Sequence, residues 1–90
     1  MNPVVLDEAT ANAVWDVLAA ECGAGELWRQ DFVLRAAGAG LTEYRFMGSL
    51  GFGGKLYAER GGFRVGCYPE DETPQRLAAM ERANRLLATR

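Results

Sequence analysis

Histidine is absent from the chain, cysteine occurs twice, proline three times, and no apolar run is long. Each shortage removes a class of function. Two cysteines without histidine cannot supply the usual four ligands of a zinc site, so no metal is expected. A serine or cysteine nucleophile would lack its customary histidine base, which argues against an enzyme. No apolar stretch approaches the roughly 20 residues that cross a bilayer, so no membrane partner is expected either. The opening Met1-Asn2-Pro3 lacks the basic-then-apolar pattern of a secretory signal, which points to a cytoplasmic protein. There, Cys22 and Cys67 are expected to be buried free thiols.

What is present describes an ordinary globular protein. Ninety residues make one domain, 1–90. The apolar share is too large and the net charge of −2 too small for a disordered chain. That charge is unevenly spread. Asp7, Glu8, Asp16, Glu21 and Glu26 make the segment before Arg29 purely acidic, whereas Arg76, Arg82, Arg85 and Arg90 stand against Glu81 alone. Either two helices of opposite charge lie side by side, or a basic terminal helix touches an acidic partner or a phosphate backbone.

Apolar spacing divides the chain into elements. Asp7 can cap a helix whose Ala11, Val14, Trp15, Leu18 and Cys22 recur every three or four residues, and Gly23 and Gly25 end it. Residues 28–37, 41–47, 55–59 and 63–68 then alternate with period two. Phe32, Leu34 and Ala36 oppose Asp31, Val33 and Arg35; Tyr44 and Phe46 oppose Glu43 and Arg45. Leu56 and Ala58 oppose Lys55, Tyr57 and Glu59; Phe63, Val65 and Cys67 oppose Arg64 and Tyr68. Glycine-rich turns separate these segments. Thr73 and Pro74 begin a last helix with Leu77, Met80, Ala83, Asn84 and Leu87 on one stripe, and Glu70, Asp71 and Glu72 suit its positive end. The expected fold is α+β: helix, four-stranded antiparallel meander, helix, with both helices on one face of the sheet.

The motifs with chemical meaning fail on inspection. A P-loop needs glycine five residues before its Gly-Lys pair and Ser or Thr after it, where this chain has Ser49 and Leu56. Gly51 and Gly53 have no third glycine at position 56, so the dinucleotide fingerprint fails too, and no motif asks for a cofactor. Glu70, Asp71 and Glu72 point different ways from one helix start, as charges that complement the helix dipole do. Phe52, within the glycine-rich connection 48–54, either folds back onto the core or inserts into a partner. The wet sheet face would collect Arg35, Arg45, Lys55, Arg64, Tyr57 and Tyr68. Basic residues interleaved with aromatics are ingredients of single-strand nucleic-acid platforms, although Asp31, Glu43 and Glu59 share that face and can pair with the bases.

Residues 43–55 (EYRFMGSLGFGGK), 67–74 (CYPEDETP) and 81–84 (ERAN) resemble segments of small accessory proteins encoded by bacteriophages and prophages of GC-rich bacteria. The resemblance covers the C-terminal half, leaves out the acidic first helix, and carries no residue roles. It implies a protein that binds and blocks a host protein, anti-CRISPR and other anti-defence inhibitors among them. The expected partner contacts are Phe52, Arg45, Lys55, Tyr57, Arg64 and Tyr68. Two alternatives stand beside this one. One is a nucleic-acid module using either the open sheet face, with Arg35, Arg45, Lys55 and Arg64, or the basic C-terminal helix, with Arg82 and Arg85; the net acidity works against it. The other is a self-associating component joined through an uncapped strand edge.

Overall fold

The computed structural model describes residues 5–48, 52–59 and 62–88. It is an α+β fold of three helices and a three-stranded antiparallel sheet: α1 (Glu8–Cys22), α2 (Glu26–Gly38), β1 (Glu43–Met47), β2 (Gly53–Glu59), β3 (Gly62–Cys67), a 3-10 turn (Pro69–Asp71) and α3 (Pro74–Ala88), with strand order β1-β2-β3. Ser49, Leu50 and Gly51 of the expected glycine loop lie outside the described residues. So do Gly61 of the next turn and the side chains of Ala58, Glu59 and Phe63.

The first helix forms as its spacing predicts. Asp7 accepts the Thr10 N–H at 2.7 Å, and Gly23 ends the helix at a left-handed φ of 69°, a conformation that favours glycine. Ala11, Val14, Trp15, Leu18 and Cys22 are all buried. The second element corrects the sequence reading: residues expected as the first strand are helix α2. Alternation across Phe32, Leu34 and Ala36 coincides with a helical stripe, because Phe32 and Ala36 are also four apart. Those two are buried while Leu34 is 75% exposed, which a period of two does not allow. Good helix formers dominate the segment, and ion pairs Glu26–Arg29 (2.8 Å) and Asp31–Arg35 (3.5 Å) lie at helical spacing. The sheet is therefore one strand narrower than expected and the helical layer one helix richer.

All three helices pack on the same face of the sheet, the face of Tyr44, Phe46, Leu56 and Val65. Trp15 is the hub. Its ring stacks on Phe32 at 5.3 Å and meets Phe46 and Tyr44 edge-on at 5.0 and 6.3 Å, while its indole N–H donates to the Gly25 carbonyl. Gly54 faces this layer because the Phe46 ring lies over it; any Cβ there would collide with that ring.

Charge complementarity binds the helices at their rims. Arg29 donates to Asp16 and to the Asn12 carbonyl, tying α2 to α1. Arg82 reaches Glu21 at 3.3 Å, which is the side-by-side arrangement of the acidic and basic helices. In α3 the Thr73 hydroxyl caps the Arg76 N–H as expected. The buried stripe is Ala79, Met80, Ala83 and Leu87; Leu77 instead looks into a shallow groove beside β3.

Candidate open-face binding site

Strand register converts the period-two pattern into a surface lattice. β1 and β2 pair Glu43 with Tyr57, Arg45 with Lys55 and Met47 with Gly53; β2 and β3 pair Tyr57 with Arg64 and Lys55 with Gly66. Tyr68 follows β3 and lays its ring over Gly53, 3.7 Å from where a Cβ would stand. Tyr57 leans toward Gly66 in the same way. Three rows result: Glu43, Tyr57, Arg64; Arg45, Lys55, Gly66; Met47, Gly53, Tyr68. α3 borders these rows only at their β3 end, where Leu77 and Glu81 share a shallow groove with Tyr57, Arg64 and Gly66.

The missing side chains at Gly53 and Gly66 leave a groove of about 450 Å³ walled by Arg45, Met47, Lys55, Tyr57 and Tyr68. Among the described residues three cations share this face with the Glu43 carboxylate, and the Asp71 carboxylate accepts the Gly53 N–H at 3.4 Å at the end of the groove. Glu43 takes two of them, Lys55 at 2.9 Å and Arg45 at 3.2 Å, and the Lys55 hydrogen bond is the main cause that holds its carboxyl below the usual range. Lys55 also sits over the Tyr57 ring at 5.6 Å. Arg64 makes no ion pair among the described residues.

Five of the six expected partner contacts therefore stand on one face: Arg45, Lys55, Tyr57, Arg64 and Tyr68. Phe52 does not. It is fully buried between the Phe46 ring at 6.1 Å and the Arg76 guanidinium at 4.9 Å, so it has folded back onto the core and presents no surface to a partner. Arg35 also leaves the set, since it belongs to α2 and covers the Tyr44 ring at 5.1 Å. Arg82 and Arg85 belong to α3 in the helical layer, and thus do not join Arg45, Lys55 and Arg64. Met47, Gly53 and Gly66 complete the groove and were missed. Extending the alternation of Glu43 and Arg45 by one step finds Met47, whereas the glycines become floor only once the register is known.

Cys67, Cys22 and Tyr44 all hold their protons more firmly than usual. Burial raises the Cys67 thiol, helped by Glu72 and Asp71, and burial likewise raises Cys22. Tyr44 holds its proton more firmly than usual, through burial and then its hydrogen bond to Asp31 at 2.6 Å. Among the described residues no cluster of three metal-ligating side chains forms, and no helix is long and apolar enough to cross a membrane. Fold and site together define a small α+β protein with one helix-covered and one open sheet face. Comparison with models of known families, with curated proteins and with solved structures finds no match.

Proposed function

We propose that the chain is a non-catalytic binding protein that docks a partner protein on its open sheet face. One observation carries the reading: Arg45, Lys55, Tyr57 and Tyr68 wall a glycine-floored groove on one sheet face, with Arg64 paired to Tyr57 on the same face. Half-exposed tyrosines and arginines are the residue types that anchor protein interfaces. The biological setting is the one the phage resemblance implies, an accessory protein that binds and blocks a host protein, a CRISPR inhibitor or another anti-defence factor.

Nucleic acid is the second reading, favoured by two tyrosine rings lying beside three cations on one sheet. Net acidity and the engagement of two of those cations by Glu43 weigh against it.

The test compares tagged wild type with a Lys55→Glu/Tyr68→Ala variant in pull-downs from host lysate, with and without nuclease. Stoichiometric capture of a protein that survives nuclease and disappears in the variant is the expected outcome. Equal capture by both proteins removes the open face from consideration. Capture lost to nuclease transfers the site to nucleic acid.

A further inference from the structure

The two edges of the sheet are finished differently. The Gly48 N–H donates to the Phe52 carbonyl at 2.7 Å, which continues the β1–β2 register by one pair. Antiparallel pairs alternate between bonded and non-bonded, so 46/54 and 44/56 are bonded as well. The pairs Glu43/Tyr57, Arg45/Lys55 and Met47/Gly53 then turn their backbone groups apart, and the N–H and C=O of Glu43, Arg45 and Met47 point outward from β1. The same alternation sends Val65 outward from β3. There α3 supplies the partner: Asn84 accepts the Val65 N–H at 2.7 Å and donates to its carbonyl at 3.3 Å. Among the described residues nothing performs that service for β1.

We propose that the β1 edge is a self-pairing interface, through which two copies of the chain join about a twofold axis at Tyr44 into one six-stranded antiparallel sheet. The charge pattern selects both the occupant and the register. Centring the pair on Glu43 sets Glu43 opposite its own copy, and centring it on Arg45 sets Arg45 opposite its own copy; each opposes like charges. Centring on Phe46 places Arg45 opposite Met47 and matches no charge. Centring on Tyr44 places Glu43 opposite Arg45 of the second copy on both sides of the axis. It also makes Glu43 and Arg45 a bonded pair, which uses the groups that face outward. A two-residue motif that is its own complement is what an isologous contact requires. The Arg45 side chain is 68% exposed, so it can turn to the second copy without disturbing the core. The dimer goes beyond the docking reading, and it would lay two open faces side by side in one sheet.

Sedimentation equilibrium over a concentration series, in reductant, tests the proposal with wild type, Arg45→Glu and the exchange variant Glu43→Arg/Arg45→Glu, each checked for fold by circular dichroism. Wild type is expected to be a reversible dimer. Arg45→Glu turns both cross-axis pairs into like charges and weakens association at least about tenfold. The exchange variant restores both pairs, sets a carboxylate opposite Lys55 within the chain, and recovers the dimer. A monomer at every concentration, a dimer indifferent to Arg45→Glu, a loss not recovered by the exchange, or an assembly that grows past two copies would each overturn it.

Discussion

The two faces of this sheet are built from the same three strands with opposite physics. On one face Tyr44, Phe46, Leu56 and Val65 meet three helices around the Trp15 ring and are almost wholly out of water. On the other, one residue away along each strand, cations, tyrosines and glycines stand in solvent around a groove. Stability is concentrated on the first face, because apolar burial scales with area removed from water. Recognition is available on the second, because its side chains are not committed to packing. A face can be spared for binding only when the other carries the fold.

That division is open to attack at several points. Trp15→Ala strikes the hub, removing the stacks on Phe32 and Phe46 and the hydrogen bond to Gly25. It is expected to cost about 3–5 kcal/mol in urea unfolding, enough to bring a domain of this size near its limit. Asn84→Ala strikes the boundary between the layers. It leaves the Val65 N–H and C=O without their partner and is expected to cost about 1–2 kcal/mol in the same assay.

A smaller effect is expected at the rim, where the Gln75 hydrogen bond, followed by Arg82, lowers the Glu21 carboxyl. A group lowered in the folded state adds stability above its ordinary value of 4.5 and loses it as the pH falls through the folded value. Glu21→Gln should therefore flatten the acid limb of the stability profile, measured by thermal melts across the acidic range. The smallest change in stability is expected on the open face. Lys55→Glu/Tyr68→Ala should unfold within about 0.5 kcal/mol of wild type while abolishing capture of the partner. If that variant lost as much stability as Trp15→Ala, the contrast between the faces would collapse.

Much of the molecule was legible because local rules agree with the fold. In α1 the Asp7 cap, the stripe from Ala11 to Cys22 and the Gly23 stop all describe the same helix. Alternation placed Arg45, Lys55, Tyr57, Arg64 and Tyr68 together because a strand's period depends on its own backbone alone. α2 was illegible for a definite reason. Phe32 and Ala36 satisfy both periods, and Leu34 tips the pattern toward a strand. What separates the two is the position of Trp15 and Tyr44, which the Phe32 ring must meet. Phe52 was a balanced choice that the Phe46 ring and Arg76 decided. Asn84 looked like one more member of a helix stripe, since nothing near it in the chain reveals that it faces the backbone of Val65.

The sequence by itself determined the α+β class, two of the three helices, the three strands and the polar face that the strands share. These follow from periodicity, caps and turn residues, which act within a few positions of the chain. Only the tertiary structure decided that 28–37 is helical, that Phe52 is core, that Gly53 and Gly66 floor a groove, and that Asn84 caps one sheet edge and not the other. Each of those depends on which distant backbone or ring arrives at the site, and close packing, unlike periodicity, is a property of residues far apart in the chain.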